Sequence, residues 1–410
     1  MNSREELKAH VVTCMIERKM TVKEGSERLG LSERQVKRLK KRGKENGVTS
    51  MLHRNCGRQP KHTLKPETKQ RILEIKERPE YSKVNFTHFM ELLEREEGIK
   101  ISYFALRKLL LENGYVSPKK KRKRKVKHPR RARKEHIGEM LQIDASLHQW
   151  FKDNETYYTI HGSKDDATGK ITGLYMCENE CMEGYMQIMR QTIKSYGIPR
   201  SLYADGLSIF FSTKEPTLEE QLAGKGANKT QFGTMMESLG VHMIHARSSQ
   251  AKGRIEREWG TLQGRIETEF AIRGITTPDE ANAFFPELIK LLNANFAVPP
   301  ANPKSMFMPK PKAINLDHLF AFKLSRIVDN SGCFTLDNTM FQCNIKGIMP
   351  KSTVNILISK KLGVRLLHDG KLVTPTPILS KSRIEIRNSS VKAVFDEFVF
   401  RHCLKNERVA

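Results

Sequence analysis

Twelve of the sixteen residues from Lys119 to Lys134, KKKRKRKVKHPRRARK, are Lys or Arg, and none is acidic. Such a run repels itself and cannot be buried, so it separates what folds before it from what folds after. It predicts an extended linker over 118–138 that gains order against phosphates. The imbalance continues upstream: residues 1–140 hold 38 Lys or Arg against 18 Glu and no Asp, a net +20, while residues 141–410 carry only +6. A polyanionic partner follows from that charge. Seven cysteines, odd in number and scattered, argue against a disulfide scaffold. No run of about 18 apolar residues could span a membrane, and the start MNSREELKAH lacks the apolar stretch of a secretory signal.

Two helical units are expected in front of the linker. In TVKEGSERLGLSERQVKRLKKR (21–42) the apolar positions Val22, Leu29, Leu31, Val36 and Leu39 fall at helical spacing, with Gly30 between two helices and Ser32 as an N-cap. Helix, tight turn, helix is the helix-turn-helix pattern, and residues 1–50 are assigned to it. With Val36 and Leu39 inward, Arg34, Gln35, Lys37 and Arg38 face the major groove. Gly25 stands where such units more often have Ala. The segment 51–64, with Arg54 and Arg58 in HRNCGRQP, suits an arm laid in a narrow minor groove. Residues 65–117 predict a second helix-turn-helix whose last helix, capped by Ser102, turns Arg107 and Lys108 outward and Leu106, Leu109 and Leu110 inward. Within the linker and at its end, Lys120, Arg122, Arg124, Arg130 and Arg131 are the expected phosphate contacts.

Beyond the linker the composition changes, and the chain's first aspartate appears at Asp144, inside the apolar strand pattern EMLQIDASL (139–147). An unpaired Asp is costly in such a strand, and no turn residues surround it. YYTIHG and KITGLYM predict two further strands of a meander, with Asp165-Asp166 in the turn between them; residues 180–196 predict a helix. RSLYADG gives another short strand ending at Asp205, on the sheet rim where ligand and metal sites collect. A strand at 241–246, a small polar loop and a helix follow, with Ile255, Trp259, Leu262 and Ile266 on the packing side and Glu256 near the helix start. Cys177 and Cys181 near His161 have no second Cys/His pair at finger spacing, so core thiols are favoured over zinc.

Asp144 in LQIDAS, Asp205 in LYADG and Glu256 in KGRIEREWG together resemble the Asp–Asp–Glu triad of retroviral-integrase-like transposases. With the helical units and the HRNCGRQP arm, the chain is similar over essentially its whole length to ISNCY-type insertion-sequence transposases. The resemblance implies a multidomain α+β protein with N-terminal helix-turn-helix units, an RNase H-like α/β core over 139–298 and a small C-terminal β-barrel. It implies an enzyme that binds the terminal inverted repeats of its mobile element and cuts and joins DNA strands. Asp144, Asp205 and Glu256 would serve as catalytic and metal-ligating residues. The expected cofactors are two Mg²⁺ or Mn²⁺ ions per site, since two-metal phosphoryl transfer needs hard oxygen ligands. The expected partners are double-stranded DNA, both element ends and target, and further copies of the chain, at least a dimer on DNA. The expected location is the cytoplasm, with the nucleoid. Sixty residues lie between the two aspartates and fifty between Asp205 and Glu256; residues 212–233 read as an inserted loop that lengthens the second gap. A shifted register would promote Glu237 or Glu258 instead. The rival from another class is a non-catalytic DNA-binding regulator with a relict core.

The Pro-rich stretch 299–312 reads as a linker. Residues 313–378 carry short β-rich runs with Asn330-Ser331-Gly332 and Asp369-Gly370 as turns, the pattern of a small barrel, and 379–410 form a tail.

Overall fold

The computed structural model describes residues 3–51, 64–118, 131–152, 155–212, 229–246, 253–336, 339–359, 361–368 and 370–378. The chain divides into two compact units, Met1–Ile75 and Lys76–Ala410.

In the first unit, helices α1 (Ser3–Ile16), α2 (Val22–Leu29) and α3 (Glu33–Asn46) share a core of Val11, Val12, Met15, Val36 and Met51. Capping boxes start the last two, Thr21 with Glu24 and Ser32 with Gln35, each satisfying backbone N–H groups that a helix start leaves open. Gly25 is explained by proximity: a Cβ there would lie 2.8 Å from Met15 Sδ, so alanine would require the Met15 side chain to shift. Helix α4 (Pro66–Glu77) follows.

The second unit contains α5 (Phe86–Glu97) and α6 (Tyr103–Glu112), which bury Phe86, Phe89, Leu92, Leu93, Leu106, Leu109 and Leu110. It continues into a five-stranded sheet of β1 (Leu141–His148), β2 (Tyr158–Asp165), β3 (Ile171–Cys177), β4 (Ser201–Ala204) and β5 (His242–His245). The strand order is β3-β2-β1-β4-β5. The first three strands pair antiparallel, and β4 and β5 run parallel to β1. Helix α7 (Met182–Ser195) and α8 (Gln231–Ser238) join one apolar core with Leu141, Ile143 and Leu202. Helices α9 (Ile255–Arg273) and α10 (Pro278–Phe296) join the other, with Ile160, Leu174 and Met176. Residues 231–233, placed by sequence in the inserted loop, instead open α8, because Thr230 caps it by accepting from Gly233 N. The remainder of that loop, 213–228, lies outside the described residues.

The outer edge of β3 is closed by side-chain amides. Asn293 exchanges two hydrogen bonds with the Ile171 backbone, Asn282 two with Met176, and Gln191 two with Leu174. Amides in place of a neighbouring strand satisfy an edge that would otherwise template foreign pairing.

The Pro-rich stretch is strapped to the core rather than hanging between domains. Met308 pairs with Ile198, Met306 N bonds Ile137 O, and Phe307 stacks on Tyr196. A short helix, α11 (Leu316–Leu319), leads to β6 (Phe322–Ile327), β7 (Cys333–Leu336), β8 (Thr339–Gln342), β9 (Thr353–Ser359), β10 (Gly363–His368), β11 (Lys371–Val373) and β12 (Thr376–Ile378). Among the described residues these make two open sheets, β11-β10-β9-β6 and β12-β8-β7, and not the closed barrel expected from sequence. The break falls between β6 and β7, which are consecutive but not laddered: β6 pairs with the distant β9, and β7 with β8. Both sheets bury their apolar faces in one core, Ile356, Ile358 and Leu366 from one and Phe334, Leu336 and Phe341 from the other. The tail 379–410 lies outside the described residues.

Candidate active site

Strand β1 alternates. Leu141 and Ile143 enter the core shared with α7, while Gln142, Asp144, Ser146 and His148 each meet α9 in turn. Ile255 N donates to Gln142 Oε1 at 3.3 Å, and Trp259 Nε1 to Asp144 Oδ2 at 3.0 Å. Gln263 Nε2 donates to Ser146 Oγ at 3.1 Å, and His148 Nε2 meets Glu267 Oε1 at 2.6 Å. Every second strand residue thus meets every fourth helix residue. The two repeats match because two strand residues advance about 6.6 Å and four helical residues about 6.0 Å. Asp144, the unexplained acid of an apolar strand, is one rung of this ladder.

Asp205 is placed by register. Parallel pairing of β1 with β4 sets Leu141 beside Leu202 and Gln142 beside Tyr203. Asp205 is the first residue past β4, and the same register carried on two residues would set it beside Asp144. Its Oδ1 accepts from Leu207 N at 3.3 Å, which turns the chain out of the sheet. Tyr185 of α7, fully buried, donates its hydroxyl to Glu180. Burial first, then the negative charge of Glu180, Asp144 and Asp205, hold this phenol well above its ordinary range.

Glu256 lies in the first turn of α9, exposed to solvent, three residues before Trp259 and so on the same side of the helix. Glu258 is turned away and ion-paired with Lys164 of β2. Glu237, the other alternative, sits on α8 and pairs with Lys229. Among the described residues no group of three or more His, Cys, Asp or Glu side chains stands in an arrangement that could hold a metal. The donor types still suit a hard divalent cation, because all three acids offer carboxylate oxygens. Of the small polar loop 248–253 that precedes α9, residues 248–252 lie outside the described residues.

The start of α9 is fixed by a residue that sequence reading left as a turn. Asp166 is buried and accepts from Arg131, Arg254, Gln142 Nε2 and Lys134 N. Burial alone would raise its pKa, but these donors outweigh it and hold the carboxyl below its ordinary value. Arg131, expected to face phosphates, is committed to this carboxylate. The far end of α9 is held by α5: His88 Nε2 and Arg95 reach Glu269, at 3.1 and 2.7 Å, and Arg265 forks onto Glu91. The signal for these partners is absent from any local pattern, since they are 174 or more residues apart.

Of the expected DNA contacts, Arg34, Lys37, Arg38, Arg107 and Lys108 are exposed on their helices. Gln35 is exposed too, but its Oε1 accepts from Ser32 N at 3.2 Å in the capping box, so part of its amide is committed to α3 itself. Arg54, Arg58, Lys120, Arg122, Arg124 and Arg130 lie outside the described residues. His161 accepts from Cys181 N at 3.1 Å and is fully buried, the arrangement of a packed core histidine.

No protein-family model matches the chain. It is 31% identical over 368 residues to the transposase for insertion sequence IS1202 of Streptococcus pneumoniae, an alignment covering 82% of this chain and 77% of that protein. It is 32% identical over 309 residues to a candidate transposase, y4bF, of Sinorhizobium fredii, covering 75% of this chain and 66% of that protein. Among solved structures, a chain of the simian T-cell lymphotropic virus intasome, in complex with the PP2A regulatory subunit B56 gamma, aligns at 13% identity and a TM-score of 0.30 over 71% of this chain and 95% of that one. The magnesium-bound HTLV-2 integrase catalytic core domain aligns at 14% identity and a TM-score of 0.28, over 38% and 86%. On the strength of its sequence relatives, the chain belongs to the insertion-sequence transposases.

Proposed function

We propose that the protein binds the terminal inverted repeats of its own element and cuts and joins DNA strands at a site formed by Asp144, Asp205 and Glu256. What supports this reading is the β1–β4 register, which carried on two residues would set Asp205 beside Asp144, together with the start of α9 hydrogen-bonded to β1. Paired Mg²⁺ or Mn²⁺ ions would supply activation of the attacking oxygen and stabilisation of the leaving one. Asp144 and Asp205 would hold them from the sheet and Glu256 from the helix. The polypeptide needs no nucleophile of its own: water as attacker gives cleavage, and a 3′-hydroxyl gives strand transfer.

End recognition is assigned to α2 and α3 as a helix-turn-helix, with Arg34, Lys37 and Arg38 on the groove-facing side, and to α6 through Arg107 and Lys108. The two C-terminal sheets are assigned to DNA or subunit contact. Two element ends must meet one target, so the working form contains at least two chains. The test is incubation of the full chain with labelled element-end duplex and Mg²⁺, with products sized on a denaturing gel. Metal-dependent nicking at the element boundary is expected, and no cleavage in any divalent cation would refute the enzyme.

A further inference from the structure

We propose that Trp259 is a positioning residue for Asp144, fixing the plane of that carboxylate for metal binding. The proposal rests on the reading of Asp144 as a catalytic ligand. Trp259 is 6% exposed, and its Nε1 donates to Asp144 Oδ2 at 3.0 Å. A buried indole N–H needs an acceptor, and here the acceptor is the acid itself.

The indole has one place to be. Its ring lies against Gly162, the residue directly across from Asp144 in the β1–β2 pairing. A Cβ on Gly162 would stand 2.8 Å from Cη2 and 3.0 Å from Cζ2 of the ring, so only glycine admits the indole over this part of the sheet. The helix cannot slide to relieve such a clash, because the Ile255–Gln142 and Gln263–Ser146 hydrogen bonds hold it on either side of Trp259.

The donor type also fits. A carboxylate can accept on two oxygens, so one fixed hydrogen bond orients the whole group. A Lys or Arg in this place would neutralise the charge that a divalent cation needs; a neutral indole orients without neutralising. Outer-shell partners of this kind usually contribute 10–100-fold in metal affinity or activity.

The test uses the full-length protein and three variants, Trp259→Phe, Gly162→Ala and Asp144→Asn. Element-end binding without divalent cation should be unchanged in all three. In Trp259→Phe and Gly162→Ala the Mg²⁺ concentration for half-maximal cleavage should rise about tenfold or more, with most of the rate recovered at saturating Mg²⁺. A direct spectroscopic readout is available because the chain has only two tryptophans. Mg²⁺ should shift the emission of the unmodified protein and leave that of Asp144→Asn unshifted. Mg²⁺ midpoints within twofold of the unmodified protein in both packing variants would overturn the proposal. So would an emission insensitive to Mg²⁺ in a protein whose cleavage Asp144→Asn abolishes. Normal cleavage by Asp144→Asn would instead remove the reading of the site, and the proposal with it.

Discussion

His88 of α5 meets Glu269 of α9 across 3.1 Å, and both side chains are buried. Burial pushes the His88 pKa below its ordinary 6.5. At neutral pH the uncharged ring can donate to Glu269 through Nε2, and among the described residues its buried Nδ1 has no hydrogen-bond partner. Burial would raise the Glu269 carboxyl, yet hydrogen bonds from His88 and Arg95 more than reverse this and bring it down to about 2.

The two shifts act on stability in the same direction. An unfolded chain takes up a proton on His88 near pH 6.5, which the folded chain resists, so stability is lost as pH falls below 6.5. The Glu269 contribution is present above pH 4.5 and lost as pH falls from there toward about 2. Thermal melts of the full chain should show a falling melting temperature from pH 6.5 downward. His88→Gln should flatten the upper part of that fall and leave the lower part. Glu269→Gln should cost about 1–3 kcal/mol at neutral pH, because the buried His88 and the partly exposed Arg95 and Arg273 lose their charged acceptor.

Asp166 should be a structural requirement for catalysis. Asp166→Ala leaves the partly exposed Arg131 and Arg254 without their shared acceptor and the buried Gln142 amide without its partner, an effect of about 1–3 kcal/mol. Because Arg254 precedes α9, the first turn carrying Glu256 should loosen. The expected result is a lower melting temperature together with reduced cleavage, measured by calorimetry and by the end-cleavage assay. A variant that melts and cleaves like the unmodified protein would contradict this role.

How far the sequence reached depended on whether the governing contacts were local. The turn between α2 and α3 is legible because Gly30 and Ser32 act within a few residues. Asp144 stood out because an acid in an apolar strand needs a reason, and Asp205 because it ends a strand. The partner that explains Asp144, Trp259, lies 115 residues away and read only as a core residue. Asp166 read as a turn residue for the same reason: its donors come from the linker end, β1 and the start of α9. Among the described residues no closed barrel forms, because strand patterns and turns do not reveal which strands ladder, and β6 pairs with β9 rather than with its neighbour β7.

End recognition should depend on the outer face of α3. Arg34→Ala with Arg38→Ala in the full chain should weaken binding to element ends by roughly 1–3 kcal/mol if the pair reads bases. Binding to random duplex should weaken less, and a shallower salt slope in both cases would reveal loss of phosphate contacts instead. Electrophoretic mobility shifts at several salt concentrations separate the two.

Glu256 and Glu258, two residues apart on α9, have opposite surroundings: the first is exposed on the Trp259 side, and the second is paired with Lys164. The most direct measurement is cleavage of a labelled element-end duplex in Mg²⁺ by Glu256→Gln alongside Glu258→Gln. Glu256→Gln should lose cleavage by about a thousandfold or more, since a metal ligand acting on the transition state is removed, while end binding persists. Glu258→Gln should cleave within a few-fold of the unmodified protein. The reverse pattern, with Glu258→Gln inactive and Glu256→Gln active, would contradict the assignment of the third carboxylate and with it the proposed site.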